Sequence, residues 1–201
     1  MNSPHTPHPL QAPAAEAEPM GEVIAAATLR LERLLPGTPE RLWAYLVEPD
    51  KRALWLAGGP MESHTGGRYT LHFRHDELSP TVEPMPPQEE LCSDGAIGEH
   101  GGSVLAWEPP RRLVLSWPEP GGAPPSQVVF ELAPAEGGRV RLTITHSRLA
   151  TRGSMLSVSG GWHTHIGVLA DRLAGRTPRP FWSSFLRMKQ AYEPAVEAAW
   201  R

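Results

Sequence analysis

The apolar and polar positions of this chain change period several times, and each change predicts an element. Val23 to Leu34 holds alternating pieces with several leucine or β-branched positions, which predicts a first strand. Thr38-Pro39-Glu40-Arg41-Leu42-Trp43 then offers threonine as an N-cap with proline at the first helical position. The helix it starts carries Leu42, Trp43, Leu46 and Val47 inward and stops before Pro49, and a second short helix covers Asp50 to Trp55. Gly66-Gly67 turns the chain into Arg68 to Arg74, where Tyr69, Leu71 and Phe73 share one face. Ser103 to Trp107 and Arg112 to Trp117 are strands broken apart by Pro109-Pro110, and Ser126 to Ala133 groups Val128, Phe130 and Leu132. After Gly137-Gly138, Arg139 to His146 alternates: Val140, Leu142, Ile144 and His146 inward, Arg139, Arg141, Thr143 and Thr145 outward. Together these strands predict an antiparallel meander with one solvated face.

The period then lengthens. Met155, Val158, Trp162, Ile166, Leu169 and Leu173 recur every three or four residues and predict a long helix over 155–175, lying across the sheet. Gly160 and Gly161 sit inside it. Glycine in a helix interior costs about 1 kcal/mol relative to alanine, so a close backbone approach or a kink is expected there. A last helical segment, Phe181 to Trp200, follows Pro178-Arg179-Pro180. The fold class is α+β: a curved antiparallel sheet around a long C-terminal helix, with two short helices after the first strand.

Three regions result. Residues 1–21 are rich in proline and alanine, lack the basic start and apolar segment of a secretory signal, and are expected to be a disordered tail. Residues 22–176 form the folded domain, and 177–201 a helical extension. Deleting residues 1–20 is expected to leave the melting temperature unchanged. The segment from His75 to Gly102 carries seven acidic residues and no lysine or arginine. It reads as a solvated acidic loop, with a lid or partner-binding arm as the alternative.

Composition narrows the partners. A length of 201 residues suits one domain with a sizeable core, and a net charge of −3 does not favour nucleic acid. The single cysteine, Cys92, excludes an intramolecular disulfide framework. A reducing, cytoplasmic setting is expected, and no apolar run approaches the ~20 residues of a membrane helix. A monomer or a homodimer is expected.

Candidate chemistry is sparse. His163 and His165 lie about 200° apart around a helix at ~100° per residue and do not jointly clamp a metal. His165 flanks the apolar stripe and His163 points away from it. His146 ends the inward pattern of its strand, so His146 and His165 can meet in a cavity, to contact a ligand or to shuttle a proton; the alternative is that each is a core histidine held by one hydrogen bond. Trp107, Trp117 and Trp162 are either pocket walls or core. His5 and His8, or His72, His75 and Asp76, are weak metal candidates. Carboxylates around Cys92 raise its thiol pKa and argue against a nucleophile. No catalytic residue, metal or cofactor is assigned.

The blocks Gly66-Gly67-Arg68-Tyr69, Val104 to Trp107 with Glu108-Pro109-Pro110-Arg111-Arg112-Leu113-Val114-Leu115-Ser116-Trp117, Val140 to His146, and Gly160-Gly161-Trp162 resemble the START-like (SRPBCC) superfamily. Within it they are similar to proteins related to the C-terminal domain of the activator of heat shock protein 90 ATPase, many of them bacterial. The resemblance covers residues 23 to about 175 and implies a helix-grip fold with a cavity between sheet and long helix. The expected function is non-enzymatic binding of a small apolar or amphipathic molecule in that cavity; the alternative, which the family implies, is a chaperone-associated or regulatory interaction module, and a second alternative, resting on the two histidines, is a cyclase or hydrolase-like enzyme using His146 and His165. The expected lining is Tyr69, Leu71, Phe73, Phe130, Leu142 and Ile144 from the strands, Trp107, Trp117 and His146 beside them, and Trp162, His165, Ile166 and Leu169 from the helix.

Overall fold

The computed structural model describes residues 18–87 and 98–201. The expectations for most of the N-terminal tail, for Cys92 and for the middle of the acidic segment lie outside the described residues. Seven antiparallel strands form one sheet in the order β1-β2-β7-β6-β5-β4-β3. They are β1 (Glu22–Ala25), β2 (Thr28–Pro36), β3 (Arg68–Phe73), β4 (Gly98–Glu108), β5 (Arg112–Trp117), β6 (Ser126–Ala135) and β7 (Arg139–Ser147). The order explains the two short helices. α1 (Pro39–Val47) and α2 (Pro49–Ala53) lie between β2 and β3 in the chain and carry it from one side of the sheet to the far edge, from which it returns by hairpins until β7 pairs with β2.

Local chemistry sets the boundaries. The Thr38 side chain accepts a hydrogen bond from the Arg41 N–H, capping α1, and Pro39 fills its first turn. Arg52 is buried and has no acidic partner among the described residues. Its guanidinium donates instead to backbone carbonyls at the end of α1 and beyond α2: Val47 at 2.9 Å, Ala57 at 3.1 Å, and Gly59. Burial holds its pKa down at about 10, and the arginine ties the two helices to the chain entering β3.

Two sequence expectations are corrected at the level of elements. The single strand read over 23–34 is two strands, because Ala27 turns the backbone through a positive φ of 63° and β1 folds back on β2. The segment read as loop up to Gly102 already belongs to β4 from Gly98, pairing with β3 from Gly98↔Phe73 to Arg68↔Ser103. Its glycines hid it: Gly101 and Gly102 contribute no alternation. Gly102 has to be small, since a Cβ there would come within 2.7 Å of the Tyr69 ring.

The long helix α3 (Arg152–Leu173) and the last helix α4 (Phe181–Ala199) pack against each other. The strand residues Tyr69, Leu71, Phe130, Leu142 and Ile144 are all buried, as are Trp162, Ile166 and Leu169 of α3. The helix grip is therefore realised. α3, however, is not amphipathic. Its Ser157, Ser159, His163, Thr164 and Asp171 are buried too, because α4 covers the face that the stripe pattern left polar. The contact is close at Gly160, where a Cβ would meet Lys189 N at 3.1 Å and Phe185 O at 3.2 Å. Thr143, expected outward, is also buried. It sits mid-sheet, between Glu32 of β2 and Glu131 of β6 in the strand register.

Candidate functional site

The pocket lies where the edge of the sheet, α3 and the start of α4 converge. β3 delivers Phe73, and the chain leaves it through a single 3-10 turn, His75–Glu77, that folds His75 inward. β4 contributes His100 and β5 ends at Trp117, followed by Pro118, Glu119 and Pro120. α3 supplies Val158, Gly161, Trp162 and His165, and α4 supplies Phe181, Trp182 and Phe185. The cavity measures about 80 Å³. Its half-exposed members, Trp117 to Pro120, Val158 and Gly161, mark the mouth, and its histidines, Trp162 and Trp182 lie deeper.

The walls are rings in mutual contact. His75 stacks on Phe181 with centroids 4.4 Å apart and touches Trp182 at 4.9 Å and His165 at 5.3 Å. His100 meets Phe73 edge-on at 5.3 Å, and Trp117 packs on Trp162 at 5.3 Å. Such contacts add to area burial by about 0.5–1.5 kcal/mol each and hold the rings in place.

The histidines are neutral. Burial pushes the His165 imidazole down to about 4, although the Trp55 carbonyl pulls it upward. Burial, reinforced by the neighbouring His165 and His100, takes His75 down to about 2. His100 is lowered by burial as well. His165 Nδ1 lies 2.7 Å from the Trp55 carbonyl oxygen. A carbonyl only accepts, so Nδ1 carries the proton and Nε2 is left as the acceptor. His100 Nδ1 is buried with no hydrogen-bond partner. Among the described residues, no group of three or more His, Cys, Asp or Glu side chains is arranged to hold a metal ion.

His146 behaves differently. The Trp162 indole N–H donates to its Nδ1 at 3.0 Å. That fixes the proton on Nε2, which donates to Ser126 Oγ at 2.8 Å. The hydroxyl in turn donates to the Trp117 carbonyl at 3.3 Å. The ring is fully buried, satisfied on both nitrogens and held down at about 3 by desolvation. Trp162 touches both histidine rings, 6.2 Å from His146 and 6.5 Å from His165.

Of the residues expected to line a cavity, Phe73, Trp117, Trp162 and His165 do so. The others have structural surroundings. Tyr69 donates from its hydroxyl to the Ser116 carbonyl, and Trp107 packs edge-on against Trp43 at 5.2 Å. Phe130 meets Trp162 at 5.5 Å, and Leu71, Leu142, Ile144, Ile166 and Leu169 fill the core. His146 lies behind Trp162, outside the pocket lining. His163, read as pointing away from the stripe, is buried against the C-terminal helix: Tyr192 Oη lies 3.1 Å from its Nδ1 and Glu18 3.6 Å from its Nε2. His72 lies apart from His75 on the sheet pleat and is exposed.

His100, Phe181, Trp182 and Phe185 were missed. The aromatic start of the last segment was visible. What was not visible was that Phe181 and its neighbours face the polar side of α3 and close the cavity. His100 carried no signal, because its strand is glycine-rich there.

A curved seven-stranded antiparallel sheet with a long helix laid across it and a pocket at their open end defines a helix-grip protein. A profile of the family described as "Activator of Hsp90 ATPase homolog 1-like protein" matches residues 36–174, and the chain belongs to that family. Among solved structures, a protein from Bordetella parapertussis is 43% identical and superposes with a TM-score of 0.70, covering 92% of this chain and 94% of its own. CalU16 from Micromonospora echinospora is 18% identical with a TM-score of 0.60, covering 84% and 88%. The Aha1 dimer from Colwellia psychrerythraea is 16% identical with a TM-score of 0.52, covering 73% and 95%. The last two share the fold. Comparison with curated proteins finds no match.

Proposed function

We propose that this protein binds a small apolar or amphipathic molecule in the ring-walled pocket beside Trp162 and His165, without converting it. The observation that carries the reading is Gly161. It stands in the middle of α3, where glycine is costly, and a Cβ there would meet nothing within 4 Å. Packing against α4 explains Gly160 but not Gly161, which lines the pocket. Keeping that space open is the role left for it.

The volume sets the scale of the ligand. At about 80 Å³ the cavity is smaller than the ~300–1,000 Å³ pockets of drug-sized molecules. It suits one ring or the end of a chain, with the remainder of a larger ligand at the mouth. Against turnover, His146 is satisfied on both nitrogens by Trp162 and Ser126 and lies outside the lining, and among the described residues no carboxylate contacts His165 to orient it as a base. Native mass spectrometry of the purified protein tests the reading. A retained small molecule, lost in Gly161→Leu while the fold persists, supports it. No retained mass, and no perturbation of the pocket's NMR signals by millimolar benzofuran, would refute it.

A further inference from the structure

We infer that the pocket selects small aromatic molecules that carry an N–H or O–H donor and no negative charge. The inference rests on the binding function proposed above and names its ligand class.

The donor requirement comes from one ring nitrogen. His165 spends its only N–H on the Trp55 carbonyl, 2.7 Å away, and Trp55 is not part of the lining while His165 is. The opposite nitrogen, Nε2, is therefore a bare acceptor on the pocket side of the ring. Phe181 at 4.8 Å and His75 at 5.3 Å prevent the ring from turning away. His100 lines the same cavity and is only 8% exposed, but its Nδ1 is closed off from the cavity, so His165 supplies the acceptor that a ligand meets.

The charge requirement comes from what the walls contain. None of the lining side chains is lysine or arginine. The histidines are neutral at pH 7, since burial disfavours their charged forms. The acidic side chain of the lining is Glu119 at the mouth, whose carboxylate accepts from the Ala150 N–H at 3.0 Å. A carboxylate or phosphate entering here would lose its water, find no cation, and meet Glu119 on the way. The aromatic requirement follows from the walls: the rings of Trp117, Trp162 and Phe181 line the cavity and favour a ring partner in offset or edge-on contact.

The test uses the full chain and three probes of similar size, titrated at pH 7.5 and followed by NMR chemical shifts: indole, which donates; benzofuran, its isostere without the N–H; and benzoate. Indole should bind at least tenfold more tightly than benzofuran, and benzoate more weakly than either. In His165→Phe the indole preference should shrink to less than threefold while benzofuran still binds. His165→Gln, which keeps a donor and an acceptor, guards against misfolding and should retain part of the preference. Equal affinities for all three, or benzoate binding best, would overturn the selectivity and leave the binding function standing. If none of the three binds, the selectivity is overturned, and if the purified protein also retains no small molecule the binding function falls with it.

Discussion

At the residue scale, two adjacent glycines have opposite reasons to be glycine. Both stand in the interior of α3, where either should be worth about 1 kcal/mol to replace by alanine. Gly161 opens on the pocket, so Gly161→Ala should raise stability by roughly 0.5–1 kcal/mol. At Gly160 the atoms met first, Lys189 N and Phe185 O, belong to the backbone of α4. Gly160→Ala must push the two helices apart and should lower stability by roughly 1–3 kcal/mol. Thermal unfolding of the two variants checks the pair; equal shifts of one sign would contradict it. The neighbouring Trp162→Ala should cost roughly 3–5 kcal/mol. It empties a core position and takes the indole donor from buried His146. A loss below about 1 kcal/mol in urea unfolding would place Trp162 at the periphery. The sequence shows both glycines as anomalies in a helix. It cannot tell the packed one from the open one, because that depends on a helix 25 residues further on.

At the scale of elements, the N-terminal segment is held more firmly than its composition suggests. Glu18 accepts two hydrogen bonds from Arg179, at 2.8 and 2.9 Å, and lies 3.6 Å from His163. Arg179 also reaches Asp171 of α3 at 2.9 Å, and the Gly21 N–H donates to Tyr192 of α4. This clasp ties the chain before β1 to both long helices. The expected indifference to removing residues 1–20 is therefore corrected: that deletion takes Glu18 with it, leaves Arg179 and Arg33 without that carboxylate, and should lower the melting temperature. His163 first, and then Arg179 and Arg33, hold the Glu18 carboxyl down at about 2 against the upward push of burial. Its folded pKa lies below its unfolded value near 4.5, so its stabilisation is complete above that value and is lost as pH falls from about 4.5 through 2. The stability gap between wild type and Glu18→Gln should be constant above pH 5 and close below it. Histidines act in the same direction at higher pH. His75, His146 and His165 protonate in the unfolded chain near 6.5 but in the folded one only at about 2, 3 and 4. Stability should therefore begin to fall below about pH 6.5, before Glu18 contributes. A profile flat from pH 7 to 4 would contradict the burial of these rings.

At the scale of the whole molecule, the grip of sheet on helix was legible, because two independent periods chose its residues. Alternation selected Tyr69, Leu71, Phe130, Leu142 and Ile144, helical spacing selected Trp162, Ile166 and Leu169, and all are buried. The same residues were expected to line a cavity, and there the reading overreached. Inward-facing positions in the middle of a sheet pack against the helix and fill the space. Room is left only at the end, where β3 and β5 finish and α4 begins. Which end stays open depends on how Phe181 and Trp182 meet His75, more than 100 positions earlier in the chain, and bring it against His165. No local pattern encodes these contacts.

The central claim is that a ligand enters at this end, and the seven tryptophans mark the molecule well enough to test it. Trp117, Trp162 and Trp182 line the pocket, while Trp43, Trp55, Trp107 and Trp200 do not. Titration of the full chain with indole, followed through the seven side-chain N–H resonances in a ¹H–¹⁵N spectrum, should move the signals of Trp117, Trp162 and Trp182 and leave the other four in place. Movement confined to Trp43 and Trp107, or no movement at all, would contradict it.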